Sequence, residues 1–430
     1  MNTSAITLLL GSFAGLILLR VPIAFSLGIS AVITAAYLNV PLAMLAQAMV
    51  RGINSFSLLA IPFFILAGEI MGEGGISQRL INFSNVIVGR IRGGLALVNV
   101  LASMFFGGIS GSSVADTSSI GSILIPMMKK KGYDVDYSVA VTITGSTQGI
   151  LIPPSHNMII YSLVAGGVSV GRLFLAGMIP GIVLGLALML LSYVIAVKRG
   201  YPAGEPVSLK DALSATKDAA LGLFTAVIVV GGVITGFYTA TEAAAVAAVY
   251  AFIVTFFIYR DIPISKMTHI LMKSLKTLAI VMALIAASNA FGWMLAYLKV
   301  PALATKALLS ISSNRYVVLF IINVLLLFLG CIMDMAPLIL ITTPILLPVA
   351  VQLGVDPVHF GIIMMLNLAI GLLTPPVGST LFVGCAIGNI SIEKLSRTMI
   401  PFYLTMVAVL MLITYIPQIV MFMPNLLMGK

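Results

Sequence analysis

The most regular feature of the chain is a succession of long apolar stretches separated by short polar or glycine-rich ones. Many of them are near the roughly 20 residues that an α-helix needs to cross a bilayer. We predict ten crossings, over residues 3–19, 22–38, 53–71, 137–167, 173–197, 219–237, 241–259, 277–297, 358–388 and 400–422. The pattern therefore predicts an all-α polytopic membrane protein, with its first helix retained rather than cleaved as a signal peptide.

Two further apolar stretches have polar, glycine-rich centres, at Gly107–Ser113 and at Gly330–Pro337. Irregular backbone at membrane depth is tolerated only against protein or beside a water-filled cavity. The length of each stretch suits two half-depth helices that meet near the bilayer midplane. We therefore predict two re-entrant helical hairpins, at 92–129 and 316–353, rather than two more full crossings in each stretch.

A duplication relates these regions, because Gly108–Ser169 reappears at a constant offset of 222 residues as Gly330–Ser391. The pair Pro153-Pro154 matches Pro375-Pro376, and a proline inside a helix removes a backbone hydrogen bond. Each pair predicts a broken transmembrane helix, at 137–167 and at 357–391. The duplication divides the chain into a first repeat at 1–200, a cytoplasmic linker at 201–218 and a second repeat at 219–430.

The charged residues indicate how the repeats lie in the membrane. Only 8% of the residues are charged, whereas 60% are hydrophobic. If each hairpin returns to its own side, most of the 23 lysines and arginines fall on one face, which is then the cytoplasmic one. Five crossings separate the hairpins, so the second enters from the opposite face. The repeats are predicted to have inverted topology, as in many secondary carriers, although channels can also contain inverted half-helices.

Other classes of function find little support in the sequence. The net charge of +10 is not accompanied by basic runs interleaved with aromatic residues, so we predict no nucleic-acid partner. Two cysteines exclude a disulfide framework, and the three histidines lie far apart, so no transition-metal site is expected. We find no GxSxG, HExxH or ATP-binding motif. An enzyme is therefore not predicted.

Segments 74–93 and 261–277 mix basic and apolar residues. They are interpreted as helices that lie in the membrane interface.

The broken helices are the candidate ion sites. Two consecutive prolines leave carbonyl oxygens without their helical partners, and such groups cost several kcal/mol in a water-poor setting unless they are satisfied. Sodium would satisfy them, helped by hydroxyl and carbonyl oxygens of the hairpin tips. We predict sodium site 1 at Ser110, Ser112, Gly145, Gly149 and Ile152. We predict sodium site 2 at Gly330, Asp334, Gly371 and Thr374, and no cofactor beyond these coupling ions.

The half-helices that follow the breaks are the candidate substrate site, because helix N-termini favour anions. A carboxylate could bind there without a buried arginine. The predicted substrate residues are Ser113, Asp116, Ser155, His156, Asn157, Met335, Ser379 and Thr380.

Several alternatives stay open. The proline pairs could be kinks that neighbouring helices satisfy. Protons could replace sodium, with Asp116, Asp334, Glu69 and Glu242 as the membrane-depth carboxylates. The two tip aspartates could instead only accept backbone N–H bonds. An ion channel and an intramembrane enzyme are the rival classes, and saturable, sodium-dependent accumulation of a solute would exclude a channel.

The motifs resemble those of one known family. Gly108-Ile-Ser-Gly-Ser-Ser-Val-Ala-Asp116, Gly132-Tyr-Asp134 and Ile152-Pro-Pro-Ser155 closely resemble the large membrane subunit of TRAP (tripartite ATP-independent periplasmic) transporters. Ser57-Leu-Leu-Ala-Ile-Pro-Phe-Phe-Ile-Leu-Ala-Gly-Glu69 and Thr241-Glu-Ala-Ala-Ala245 look like further signatures, and the similarity covers essentially the whole chain.

The resemblance implies a multi-pass protein of the bacterial inner membrane that imports a carboxylate solute together with sodium by an elevator mechanism. It also implies a small four-helix membrane subunit and a periplasmic substrate-binding protein as partners. In that family the hairpin tips and broken helices hold the sodium ions. The pair His156-Asn157 departs from the usual aliphatic residue after the prolines. It points to a subfamily, with sialic acid, C4-dicarboxylates and sugar acids as candidate solutes.

Overall fold

The computed structural model describes residues 3–429, and the outermost residues of the two predicted repeats, 1–2 and 430, lie outside that range. The described chain is helical throughout and has no β-strand, only an isolated antiparallel bridge between Arg92 and Ala203. Seven of its helices are long and apolar enough to cross a membrane. The prediction of an all-α, multi-pass membrane protein is thereby confirmed.

The first half of the chain contains eleven α-helices over the described residues, and a 3₁₀ turn at Phe56–Leu59 leads into the fourth. They are α1 (Thr3–Leu18), α2 (Ile23–Tyr37), α3 (Leu42–Ile53), α4 (Ala60–Glu73), α5 (Ile76–Val88), α6 (Gly94–Ser110), α7 (Ser113–Lys130), α8 (Val135–Ser146), α9 (Gln148–Leu151), α10 (His156–Val164) and α11 (Val170–Lys198).

The second half contains ten α-helices over the described residues, with a π-helical segment at Val254–Tyr259 and a 3₁₀ turn at Ile264–Lys266. They are α12 (Leu209–Ile234), α13 (Ala240–Ile253), α14 (Met267–Tyr297), α15 (Val300–Ile311), α16 (Arg315–Gly330), α17 (Met335–Gln352), α18 (Pro357–Gly371), α19 (Ser379–Gly388), α20 (Ile392–Tyr415) and α21 (Pro417–Met428).

The two halves repeat one order of elements. Helices α6 and α7 form a hairpin that is followed by the interrupted helix α8–α10, and α16 and α17 form a hairpin that is followed by α18–α19. The residues that begin these helices recur at the offset of 222, since Ser112 and Asp334 precede α7 and α17, and Ser169 and Ser391 cap α11 and α20. Side-chain oxygens at such positions accept the unpaired N–H groups of a first turn.

The correspondence also corrects one interpretation. The sequence predicts a helix in the membrane interface for each of the segments 74–93 and 261–277. The first contains the separate helix α5, which matches α15 at the offset of 222, whereas segment 261–277 falls largely within the first turns of α14. Helix α14 has 31 residues, and at the offset of 222 this single helix corresponds to both α3 and α4 of the first half. Neither α3 nor α15 is among the predicted crossings, because each is only 12 residues long.

The hairpin arms are longer than half-depth helices would be. They contain 16 to 18 residues, which at 1.5 Å per residue is roughly 24 to 27 Å. That is close to the roughly 30 Å thickness of the hydrocarbon core, and α17 alone is long and apolar enough to span it. A tip at the midplane therefore requires that the arms be tilted or begin outside the hydrocarbon.

The segment 201–218, predicted as a linker, is only partly unstructured. Ser208 caps α12, which begins at Leu209, so residues 209–218 are helical. The preceding residues pack against the first hairpin: Gly93 donates its N–H to the carbonyl oxygen of Pro202 at 2.9 Å, and Arg92 Nε donates to the carbonyl of Tyr201 at 3.3 Å. The linker is thus fastened to the start of α6.

Charged and aromatic groups complete this attachment. The Tyr201 hydroxyl donates to Asp134 Oδ2 at 2.6 Å, and Arg199 lies 2.8 Å from the same oxygen. The Tyr201 ring packs on Tyr133 and Tyr137, with ring centroids 4.4 and 5.2 Å apart. The hydroxyl of Tyr201 lowers the pKa of Asp134 below its usual value, and Arg199 lowers it further.

This pKa shift leads to a prediction for Asp134→Asn. Because the folded pKa is lower than the unfolded value near 4, the carboxylate stabilises the fold above that pH, and the contribution is lost as the pH falls through the folded pKa. The side chain of Asp134 is 57% exposed, so its carboxylate adds at most about 1 kcal/mol to the free energy of unfolding. The difference in unfolding midpoint between the two proteins should therefore shrink between pH 7 and pH 3. Tyr201→Phe should lose part of the same stabilisation, and a difference that does not change with pH would contradict this account.

A second group of helices surrounds α14. Helices α2 and α3 pack against α14, and α13 packs against α4. Lys273 of α14 lies 2.8 Å from Glu69 and 3.4 Å from Glu73 of α4. Farther along α14, Trp293 is stacked on Tyr297 with ring centroids 5.3 Å apart. These contacts join helices of both halves into one framework beside the hairpins.

Candidate functional site

The first hairpin is pressed against its broken helix through paired glycines. A Cβ atom on Gly107 of α6 would lie 2.2 Å from the Cα of Gly149, and one on Gly149 would lie 2.6 Å from the Cα of Gly107. Gly111 at the tip has φ +62°, and a Cβ there would lie 2.7 Å from the carbonyl oxygen of Pro154. Only glycine permits backbones to approach this closely.

Polar backbone and hydroxyl groups fill the tip. The Ser110 hydroxyl accepts the N–H of Ser112 at 3.3 Å, and the Ser112 hydroxyl accepts the N–H of Ala115 at 3.3 Å as the cap of α7. Facing them, Pro153 and Pro154 have no N–H to offer the carbonyls of Gly149 and Ile150. The structure thus brings Ser110, Ser112, Gly149 and Ile152 to one junction, since Ile152 contacts Gly108 beside the tip. Gly145 lies one helical turn earlier and packs on Val100 and Ser103.

The second hairpin makes the equivalent junction. A Cβ atom on Gly371 would lie 2.6 Å from the Cα of Gly330. Val377 of the break donates its N–H to the carbonyl of Cys331 in the tip at 3.1 Å. Asp334 caps α17 by accepting the N–H of Met335 at 2.9 Å. Of the predicted second set, Gly330, Gly371 and Asp334 therefore lie at this junction.

Carbonyls of the second break already have partners within the chain. The carbonyl of Gly371 accepts the N–H of Thr374 at 2.9 Å, and that of Leu372 accepts the N–H of Leu381 at 3.3 Å. The Thr374 hydroxyl donates to the carbonyl of Ile370 at 2.8 Å. Each carbonyl oxygen retains a second lone pair, so coordination of a cation remains chemically open. Unpaired carbonyls are nevertheless a weaker argument for a cation here than at the first break.

The two tip aspartates are not equivalent. Asp334 corresponds at the offset of 222 to Ser112, and both are caps. Asp116 lies one turn inside α7 and is fully buried, and neither of its carboxylate oxygens has a hydrogen-bond partner among residues 3–429. The interpretation that the aspartates hold backbone N–H groups thus describes Asp334 and does not describe Asp116.

The predicted proton-relay carboxylates on other helices have structural partners. Glu69 forms the ion pair with Lys273. Glu242 accepts the N–H of Thr239 at 2.7 Å and completes a capping box at the start of α13. Neither contact places these carboxylates at a hairpin tip.

Apart from Asp116, the predicted substrate residues fall into three groups. Ser155 and Asn157 are buried beside the partly exposed His156 at the start of α10, and the Ser155 hydroxyl has no hydrogen-bond partner in the described chain. Ser379 at the start of α19 donates to Asp334 Oδ1 at 3.4 Å, close to the buried Met335. Ser113 and Thr380 are buried and bonded to each other at 3.0 Å, so they do not line an open cavity.

Sequence reasoning missed several residues of these junctions. Gly107, rather than its neighbour Gly108, makes the contact with Gly149. Thr117 and Ser146 bond to each other at 2.8 Å and connect α7 with α8. On α4, Gly68 lies against the first tip, where a Cβ would be 3.3 Å from the Cα of Ser110. The signal for Gly68 was available in the spacing of Gly68 and Gly72, which lets a helix approach closely.

Comparison with known proteins identifies the family. The model of the family described as "Tripartite ATP-independent periplasmic transporter, DctM component" matches residues 10–419. The chain belongs to this family. It is therefore the large permease component of a TRAP transporter, a multi-pass inner-membrane protein of a transporter family rather than an enzyme. The resemblance of its motifs to this family is confirmed.

Curated relatives of this TRAP permease align over nearly all of it. An uncharacterized protein, YgiK, of Salmonella typhimurium is 45% identical over 98% of this chain and 97% of its own length. The isethionate TRAP transporter permease protein DctMQ of Oleidesulfovibrio alaskensis is 42% identical over 96% of this chain and 65% of its own length. The sialic acid TRAP transporter large permease protein SiaM of Vibrio cholerae is 39% identical over 96% and 97%.

A solved structure shares the fold of the TRAP permease. The Alcanivorax borkumensis YdaH transporter, whose crystal structure is described as revealing an unusual topology, superimposes with a TM-score of 0.63. The match covers 87% of this chain and 88% of that one at 13% sequence identity. At this identity the likeness concerns the fold alone.

Proposed function

We propose that this TRAP permease is a sodium-coupled secondary importer of a carboxylate-containing solute. The observation that carries the proposal is the double junction, in which each hairpin tip is pressed through paired glycines against a proline-broken helix. Two discontinuous helices in corresponding positions of two repeats are the architecture of a carrier's binding site.

Sodium is the proposed coupling ion. The first junction combines the tip hydroxyls of Ser110 and Ser112 with the break at Gly149–Ile152, and oxygen ligands suit a hard monovalent cation. The second junction offers Asp334, which is exposed, and the carbonyls of its break. A cation that joins tip to break would close each junction. Passage of the solute would then depend on sodium being bound at both junctions.

The proposed mechanism is an elevator. Helices α4 and α14 would form a scaffold braced by Lys273, Glu69 and Glu73, and the hairpins with their broken helices would form the body that moves. The repeats would be inverted in the membrane, and each hairpin would be re-entrant with tilted arms. With arms of 16 to 18 residues, such a tilt would bring each tip near the bilayer midplane.

The solute and partners are proposed from the site and the family. The starts of α10 and α19 present helix N-termini beside Ser155 and Ser379, which suits an anion. One relative is named for sialic acid, a carboxylate, and one for isethionate, a sulfonate. The word tripartite in the family description supports two further components, which we propose are a small four-helix membrane subunit and a periplasmic binding protein.

Uptake into liposomes that contain the chain with its two partner components tests the function. Labelled sialic acid, a labelled C4-dicarboxylate and labelled isethionate are offered with an inward sodium gradient, with choline in place of sodium, and with a proton gradient alone. Sodium-dependent accumulation of a carboxylate is expected. Accumulation driven by protons alone would favour a proton-coupled carrier, and steady single-channel currents would favour a channel. Accumulation of isethionate alone would show that the solute is a sulfonate and not a carboxylate.

Replacing Thr374 by valine tests the second sodium site. Valine keeps the shape and removes the hydroxyl oxygen, so half-maximal uptake should require roughly 3- to 10-fold more sodium, as expected for one lost ligand or hydrogen bond. Thr342→Val is the matched control, because the buried Thr342 hydroxyl donates to the carbonyl of Leu338 within α17, in the same manner as Thr374 within its own segment. An equal sodium requirement in both variants would remove Thr374 from the site.

A further inference from the structure

Four buried hydroxyl groups form one cluster where the two repeats meet. Ser113 Oγ lies 2.9 Å from Ser146 Oγ and 3.0 Å from Thr380 Oγ1, and Thr117 Oγ1 donates to Ser146 Oγ at 2.8 Å. All four side chains are at most 2% exposed. They belong to three elements: α7 of the first hairpin, α8 of the first broken helix and α19 of the second.

The direction of the hydrogen bonds follows from proton counting, since each hydroxyl has a single proton to donate. Ser146 gives its proton to the carbonyl of Ile143 at 2.8 Å, so Ser146 can only accept from Ser113. Ser113 therefore donates its only hydroxyl proton to Ser146, and Thr380 must donate to Ser113. The result is one ordered chain, from Thr380 to Ser113 to Ser146, in which every proton is used.

Two members of this chain, Ser113 and Thr380, directly follow residues of the two proposed junctions. Ser113 directly follows Ser112, the cap at the first tip. Thr380 directly follows Ser379, which donates to Asp334 Oδ1 at the second tip. Ser113 and Thr380 thus connect the first tip to α19, and α19 carries the residue that contacts the second tip.

We propose that the cluster of Ser113, Thr117, Ser146 and Thr380 is a positioning device that couples the two sodium sites, so that filling one favours filling the other. This inference rests on the proposed sodium coupling. Coupling between sites is reciprocal and commonly amounts to 5- to 150-fold in affinity. For two equal sites, a tenfold coupling corresponds to a Hill coefficient of about 1.5. Such a linkage would lower the fraction of carriers that hold only one of the two ions.

Binding of ²²Na⁺ to the purified full-length chain, with choline holding the ionic strength constant, tests the inference without a solute. The unsubstituted chain should bind sodium with a Hill coefficient of about 1.5 or more. Thr380→Val removes the proton that Ser113 accepts, so the coefficient should fall to about 1 while two ions still bind. Thr380→Ser, which restores the hydroxyl, should restore the coefficient.

The matched control is Thr144→Val. Thr144 is equally buried, but its hydroxyl donates to the carbonyl of Ala140 within α8, and in the described part of the chain it bonds to no second element. Its variant should retain the coefficient of the unsubstituted chain. Ser113→Ala provides a second route if Thr380→Val does not fold, and it should also give a coefficient of about 1.

Each contrary result has a distinct meaning. No sodium binding by the unsubstituted chain would refute the proposed function itself. Sodium binding with a Hill coefficient of 1 in the unsubstituted chain would refute the coupling only. An unchanged coefficient in Thr380→Val or Ser113→Ala, or an equal loss in Thr144→Val, would likewise refute the role of the cluster and leave sodium coupling intact.

Discussion

Replacing Gly149 by alanine is expected to separate the first hairpin from its broken helix and to abolish uptake. The added Cβ would lie 2.6 Å from the Cα and 3.4 Å from the carbonyl carbon of Gly107. Both groups are backbone, so no side chain can turn aside and the helices must move apart. Overpacking of this kind costs about 3 kcal/mol, and it would also displace the proposed ion ligands.

The thermal unfolding midpoint of the purified chain and uptake into liposomes measure this effect. Gly292→Ala is the control, because Gly292 is helical and a Cβ there meets no atom within 4 Å. That variant should keep its activity and gain up to about 1 kcal/mol from the better helix former. An active Gly149→Ala variant with an unchanged midpoint would show that the two backbones are not in contact in the working protein.

Replacing Gly68 by valine is expected to block transport in a different way. A Cβ at this position would lie 3.3 Å from the Cα of Ser110, so alanine needs only a small shift whereas the branched side chain of valine collides with the tip. If the first hairpin slides along α4 during transport, a larger side chain on the contact face of α4 should block this movement. Uptake should fall slightly for alanine and by more than about tenfold for valine, which corresponds to about 1.4 kcal/mol.

Gly72→Ala provides the comparison for this series. Gly72 lies one turn farther along the same face, and a Cβ there would be 3.4 Å from the Ser119 hydroxyl, an ordinary contact. Its uptake should remain close to that of the unsubstituted chain. Equal uptake by the alanine and valine variants of Gly68 would contradict a sliding contact between α4 and the first tip.

Much of the architecture could be predicted because membrane helices must satisfy their own backbone. Long apolar runs predicted helices, seven of which are long and apolar enough to cross a membrane, and the proline pairs marked the two places where a helix is interrupted. The offset of 222 residues brought Gly149 and Gly371 to equivalent positions, and the structure places each against a hairpin. These features are local or periodic, so a single sequence contains them.

The rest depends on contacts between distant segments. The sequence predicts segment 201–218 only as a linker, whereas in the structure Tyr201 and Pro202 bond to Asp134 and Gly93, more than 60 residues away. The twelve-residue helix α15 was too short to predict as a crossing, and its match to α5 became visible only in the order of elements. The hairpin arms also proved longer than a half-depth helix, since α17 continues for 18 residues despite Pro344 and Pro348.

The candidate site shows the same division. Ser112 and Asp334 could be identified as tip residues from their glycine-rich surroundings, but their common role as helix caps required the structure. Thr117 and Ser146 carry no sequence signal, because a threonine or serine in an apolar helix usually bonds to its own backbone. Only the packing of α7 on α8 shows that their hydroxyls meet.

The stacked pair on α14 has a practical consequence. Trp293 is the only tryptophan of the chain, so selective excitation of indole fluorescence in this subunit reports on a single point of the framework. Its neighbour Tyr297, 5.3 Å away, is close enough for its ring to influence that emission. Any spectral change that a cation or solute produces in the isolated subunit can therefore be assigned to α14 without a label and without altering a residue.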